Sequence, residues 1–195
     1  EVKTNKISPA TGVAFALGDS GDTFTVPSGA TIVNSGTATG FGGGKIGQVL
    51  QAVKTDTASS TNTSFVDLTD MTIDITPAAT SSKILVLVNP QVGISAGDYF
   101  LYLKLVRDST DLYIGDAASN RQRVSSLNRD SLPQYLNSGT IMYLDSPSST
   151  SATTYKIQWA IESGVTAYIN RTGTDSDATA YARTASSITV MEVLA

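Results

Sequence analysis

The acidic side chains are the first place to look for chemistry, because the chain has no histidine and no cysteine. Those two absences remove Ser-His-Asp and Cys-His machinery, imidazole and thiolate metal sites, and any disulfide framework. Catalysis would have to rest on carboxylates, Lys or Tyr, and glycosidases use paired acids about 5 to 9.5 Å apart. Asp67, Asp70, Asp74, Asp98, Asp108 and Asp111 are available. Most fall at turns or on the polar side of strands, where solvation and turn geometry alone would place them. Asp19 with Asp22, and Asp175 with Asp177, could offer oxygens to calcium, but neither pair approaches the six or more ligands that ion takes. The expectation is that the chain is not an enzyme and carries no metal or cofactor.

Two further motifs dissolve on context. Gly42, Gly44 and Gly47 satisfy GxGxxG, yet no βαβ unit surrounds them, and Ile46 stands where a phosphate loop needs Ser or Thr after Lys45. Asn62-Thr-Ser64 and Asn170-Arg-Thr172 match glycosylation sequons, as chance provides in a chain so rich in Ser, Thr and Asn.

Recognition is better served by the aromatic residues. A ring covers the apolar face of a sugar and loses little entropy in doing so. Tyr113, Tyr135, Tyr168 and Tyr181 lie in or beside polar segments. Arg121 and Arg123, with Arg129 nearby, form the nearest thing to a basic cluster. These six, Tyr113, Arg121, Arg123, Tyr135, Tyr168 and Tyr181, are the candidate recognition residues. Trp159, on the apolar side of an alternating run, is expected in the core.

The composition frames that choice. The chain has 195 residues, 41% hydrophobic, only 15% charged, with net charge −4. Ser and Thr supply about a quarter of all residues, so hydroxyls do much of the solvating. An acidic chain without a basic run has no electrostatic footprint for nucleic acid or an anionic membrane, and no apolar stretch approaches a membrane span. Neither membrane insertion nor nucleic-acid binding is expected.

The elements that must position the candidates are strands. Residues 1–42 hold few large apolar side chains, and VPSG and VNSG recur there seven residues apart. Such short pieces become stable when several copies pool them around one axis, so the expectation is a β-rich stalk over 1–42, a glycine-rich hinge over 43–48 and a head over 49–195. In the head, strands are predicted over 49–54, 71–76, 83–88, 99–106, 112–114, 140–145, 155–162, 165–169 and 187–195, with 155–162 and 165–169 paired as a hairpin about Gly164. The run 83–88 is apolar on both faces and belongs between two sheets, or between a sheet and a neighbouring chain. An apolar strand at the C-terminus stays in place only as an inner strand. Roughly eight to ten strands without a helix give an all-β, β-sandwich, jelly-roll-like head. The loops 115–133, 146–153 and 172–181 would carry recognition.

The run from SPATG through LGDSGDTFTVPSGATIVNSGTATGFGGGKIGQVLQ, followed by SSKILVLVNP, LVRDSTDLYIGDA and a closing SSITVMEVLA, resembles the C-terminal part of tail-fibre proteins of marine bacteriophages, notably those infecting cyanobacteria. The similarity covers nearly the whole chain. In strand pattern alone, the head also resembles the trimeric jelly rolls of the tumour necrosis factor and complement-collagen type. The phage resemblance implies a homotrimer with an intertwined shaft, located in the virion. Other virion proteins would attach on the N-terminal side, and a host-surface glycan or protein would be bound at the tip. It assigns no binding residue. The competing expectation is a structural virion protein, for capsid decoration or a filament, whose head serves only to trimerise.

Overall fold

Alternating apolar side chains from Ile46 onward give one antiparallel strand after another, and no helix interrupts them among the described residues. The computed structural model describes residues 46–194, with Thr23, Thr25, Ser28 and Gly29. The expected stalk over 1–42, the VPSG/VNSG repeat and the first half of the hinge fall largely outside them.

Thirteen strands are described: β1 Ile46–Lys54, β2 Ala58–Ser60, β3 Val66–Ile75, β4 Lys83–Asn89, β5 Gln91–Ile94, β6 Phe100–Arg107, β7 Thr110–Leu112, β8 Ser126–Arg129, β9 Asn137–Ser138, β10 Ile141–Asp145, β11 Thr153–Ile161, β12 Ala167–Ile169 and β13 Ser186–Val193. They form sheets of order β1-β13-β4-β10, β2-β12-β5-β9 and β3-β11-β6-β7, with β8 also on β6. The first two sheets have matching order. The path that is β1 in one becomes β2 in the other, and likewise β13 and β12, β4 and β5, β10 and β9. Together they make one four-path layer folded across a seam, packed on the third sheet.

Pro90 marks the seam between β4 and β5, since a residue without an N–H breaks a ladder. Asn170 fastens it. This fully buried side chain donates from Nδ2 to the carbonyls of Lys54 (2.8 Å) and Asp56 (2.9 Å), and accepts from Ser186 Oγ (2.6 Å). Its backbone N–H donates to Gln91 O, and Ser186 Oγ accepts from Gln91 N–H. Asn170 holds φ 62°, a left-handed conformation that Asn tolerates better than most residues. The sequon there is sealed inside the fold.

The core lies between the layers. Leu101, Leu103 and Leu105 of β6 and Tyr155, Ile157, Trp159 and Ile161 of β11 face Ile84, Val86 and Val88 of β4 and Ile188 and Val190 of β13 in one cluster. Burial of each such side chain contributes about 1.5–3 kcal/mol. Trp159 is in the core as expected, and β13 is an inner strand, flanked by β1 and β4. The all-β sandwich is therefore the observed fold.

Three expectations change. The 155–162 and 165–169 runs do not form a hairpin: β11 pairs with β3 and β6, whereas β12 pairs with β2 and β5. Gly164, at φ 87°, turns the chain out of one layer and into the other, so that Val165, Ala167 and Ile169 close the core from the opposite side. The segment 115–133, expected as a loop, contains β8, which is held by backbone pairing to β6, to which side-chain polarity is indifferent. The first strand begins at Ile46, inside the span expected to be hinge.

Candidate functional site

Two recesses lie on loops at the side of the head formed by the start of β6. The larger, about 420 Å³, is lined by Phe100, Tyr102, Asn120, Arg121, Gln122, Val124 and Leu127. Alternation on β6 sends Leu101, Leu103 and Leu105 into the core and so turns Phe100 and Tyr102 outward, which gives the recess an aromatic floor. Its wall is the 113–125 segment, rooted on β6 by Ser125. The Ser125 N–H donates to Leu103 O (2.9 Å), and its hydroxyl accepts from Leu105 N–H (2.9 Å) and donates to Leu112 O (2.9 Å). Arg123 Nε donates to Gly115 O (2.7 Å) and draws the segment closed. That leaves Asn120, Arg121 and Gln122 as planar polar groups above the rings.

The electrostatics of the floor favour a neutral hydrogen-bonding surface. Burial, with the negative field of Glu162, pushes the Tyr102 phenol above its ordinary value, so it stays protonated. Glu162 in turn accepts from the Phe100 N–H at 2.8 Å. Arg129 covers Phe100 at 5.7 Å from the ring centroid while pairing with Asp98 at 2.7 Å. Arg121 has no carboxylate partner among the described residues.

The smaller recess, about 320 Å³, is lined by Asp175, Ser176, Asp177, Ala178, Tyr181 and Arg183. Asp175 is clamped from two sides, by Arg171 Nη1 at 2.7 Å and by Arg183 Nη2 at 2.7 and 2.8 Å. Arg171 also lies 3.7 Å from the centroid of the Tyr168 ring. Two guanidiniums on Asp175 oppose a cation there, which argues against the calcium reading of Asp175 and Asp177 by simple charge. Asp19 and Asp22 lie outside the described residues, and no acidic cluster of metal-binding size occurs among the described ones.

The structure brings together some of the six candidates and disperses others. Arg121 belongs to the larger recess and Tyr181 to the smaller, with Tyr168 held beside the latter under Arg171. Arg123 is occupied in closing its own loop. Tyr113, at φ 50°, opens the 113–125 segment and packs against Tyr143, with ring centroids 5.5 Å apart and planes tilted by 36°. Tyr135 is half-exposed on the turn closed by its N–H to Leu132 O. Loops 115–133 and 172–181 meet through Thr174 N–H to Pro133 O (2.9 Å). Loop 146–153 does not join them. It precedes Tyr155, which pairs with Arg107 at the opposite end of β6.

Phe100, Tyr102, Asn120, Gln122 and Arg171 were not among the six. A signal for the first two was present, since 99–106 is apolar on both faces and an outward aromatic on a strand must meet something. The six acids weighed for catalysis are each engaged. Asp67 pairs with Lys156 and Gln158, Asp70 with Lys54, Asp74 with the Thr154 hydroxyl, Asp98 with Arg129, Asp108 with the Thr154 N–H and Asp111 with Lys104.

No family model and no curated protein matches the chain. Among solved structures, it is similar to a chain in "Structure of infectious bursal disease virus Gx strain", at 14% identity and a TM-score of 0.33, over 75% of this chain and 41% of that one. The present chain thus spans less than half the length of that relative. The all-β assignment stands on the strand pairings themselves.

Proposed function

We propose that the chain is the receptor-binding tip of a viral tail fibre, a homotrimeric adhesin that binds a glycan on the host surface. The observation that carries the adhesion reading is the larger recess: an aromatic floor of Phe100 and Tyr102 beneath Asn120, Arg121 and Gln122. Sugar rings present apolar C–H faces and planar arrays of hydroxyls, and this combination complements both. Arg121 adds bidentate recognition of a sugar carboxylate or adjacent hydroxyls. The family resemblance of the sequence supports the fibre and the threefold assembly. Weak single sites suffice, because three on one tip, repeated over several fibres, gain avidity through effective concentration.

The test is binding of the intact chain to an array of bacterial surface polysaccharides, with Arg121→Ala and Gln122→Ala alongside. Both residues are exposed, so neither change should move the thermal melt. The expectation is saturable glycan binding weakened roughly tenfold or more by Arg121→Ala, the order expected for one charged hydrogen-bonding group. Equal binding by the variants would remove the recess from the account. Absence of binding to any glycan would favour the structural virion reading, in which the head serves assembly alone.

A further inference from the structure

The β1-β13-β4-β10 sheet has a second face, turned away from the core, and it is built differently from the rest of the surface. Register places its side chains in rows. Val49, Met191, Leu85 and Leu144 are successive cross-strand partners over all four strands, and Gln51, Thr189, Leu87 and Met142 form the next row. Ile46 and Val193 pair on one side of these rows, and Val53 and Ser187 on the other. Ile46 is 51% exposed, Val49 55%, Val53 53%, Met142 63% and Leu144 46%. Leu85, Leu87, Met191 and Val193 are partly exposed beside them.

The outward face of the β3-β11-β6-β7 sheet supplies the contrast. There Lys104 pairs with Asp111, Lys156 with Asp67, and Gln158 bonds Asp67 as well. One face of the head is made for water and the other is not. We infer that the outer face of the β1-β13-β4-β10 sheet is the surface through which copies of this chain pack on one another, with Val49, Leu85, Met142 and Leu144 at its centre.

Area and charge select a further copy as the occupant. The nine apolar side chains present roughly 600 Å² of accessible surface, at the upper end of what a monomer leaves open. With the Gln51, Thr189, Ser187 and Asn89 rim the face approaches the ~800 Å² per partner of a stable interface. The only charge among its outward positions is Lys83, at the end of the face beside Val193, so the apolar rows select no partner of opposite sign and meet a like face without repulsion. Gln51 Nε2 satisfies Thr189 Oγ1 at 2.8 Å within the face, leaving a pair already bonded to each other where a dry contact would otherwise strand them. The inference rests on the proposed threefold fibre tip only for the number of copies.

Sedimentation of the full chain reads it directly. Wild type is expected at three times the 20.3 kDa chain mass. Met142→Glu and Val49→Glu, at exposed positions that leave the core intact, should weaken association roughly a hundredfold or more, because each would bury an unpaired charge. Leu132→Glu, exposed elsewhere, should leave assembly unchanged. A wild-type trimer that both glutamate variants preserve overturns the surface and spares the trimer. A wild-type monomer overturns both, leaving the glycan array to judge adhesion separately. A dimer broken by Met142→Glu upholds the surface and overturns the threefold count. As a second reading, Met142→Cys introduces the only thiol of the chain for a spin label; inter-chain dipolar coupling is expected, and its absence in an assembled sample overturns the surface even where the glutamate variants misfold.

Discussion

Replacing Asn170 should release the seam that lets four chain paths serve two sheets. Its side chain makes three hydrogen bonds, to Lys54 O, to Asp56 O and from Ser186 Oγ, at 2.6 to 2.9 Å and with no exposure to water. A buried bond contributes about 1 kcal/mol net, and the Lys54 carbonyl and Ser186 hydroxyl are sealed from solvent, so Asn170→Ala loses about 3 kcal/mol on this account. Alanine at φ 62° adds up to about 1 kcal/mol of left-handed strain. The total, about 3–4 kcal/mol, is a large fraction of the 5–15 kcal/mol typical of a domain. Asn170→Gly separates the two parts. It removes the strain but not the lost bonds, and its more flexible unfolded chain returns about 0.5–1 kcal/mol of cost, so it should sit within about 1 kcal/mol of alanine. Urea unfolding at fixed protein concentration, followed through Trp159, reports the core directly because it is the single tryptophan and is buried. Amide exchange at Gln91 and Thr184, whose backbones are tied to Asn170, should accelerate ahead of the remaining ladder. A loss below 1 kcal/mol for both variants would refute the seam argument, since it would mean that the two sheets hold their junction without the clip.

Other perturbations test other buried polar groups. Burial, opposed by the Ile94 N–H and the Asn137 amide, pushes the Asp130 carboxyl up to about 6. The folded state therefore keeps this proton longer than the unfolded chain, and stability falls as pH rises from about 4 through 6, by about 3 kcal/mol in all. Asp130→Asn should gain on wild type by that order between pH 4 and pH 8 in urea midpoints, and a difference independent of pH would contradict it. Glu192 behaves in the opposite sense: burial raises it, but bonds from the Ala78 N–H and Gln48 outweigh this and the net shift is downward. Its contribution is present above the ordinary glutamate value and disappears as pH falls through the folded one, so the advantage of wild type over Glu192→Gln should shrink in acid; an advantage independent of pH would count against it. Tyr155→Phe keeps the ring in the core but removes the 2.7 Å bond to Asp145, which Arg107 also holds at 2.6 Å. It should cost about 1–3 kcal/mol, and a neutral effect would show that Arg107 alone satisfies the buried carboxylate.

What could be read from the sequence was whatever writes itself in side-chain alternation. Ile157, Trp159 and Ile161 declare a half-buried strand wherever the chain goes. The doubly apolar 83–88 run marks an inner strand, and β4 has the core on one side; Leu85 and Leu87 on its other side belong to the face proposed as an interface. Pairing partners were not legible. The β11 and β12 runs are neighbours in sequence with a glycine between them, and local turn chemistry favours a hairpin. The preference is overridden because Val165, Ala167 and Ile169 bury more apolar surface by crossing to the other layer, a long-range gain that no local signal encodes. The recess shows the same division. Arg121 is conspicuous as a charged loop residue, whereas in the sequence Phe100 and Tyr102 look like any other strand residues; their outward direction depends on the register of β6 against β11.

The two apolar features on the surface differ in kind, and that difference bears on how the head works. The aromatic recess is small, polar-rimmed and placed on loops, where a side chain can change without disturbing a ladder. The sheet face is broad, nearly uncharged and built on inner and edge strands whose opposite sides form the core. A substitution on β4 or β13 that alters the outer face therefore also acts on strands that hold the sandwich together, so the proposed assembly and the folding draw on the same strands through alternate residues. Recognition is free of that constraint. Under the proposed function, binding would vary through residues 113–125 and 172–181 while the proposed interface between copies stays constrained by the strands that form the core. Exchange of the 116–122 segment should accordingly alter glycan selectivity with no change in sedimentation, and a loss of assembly on that exchange would show that the two surfaces are not independent.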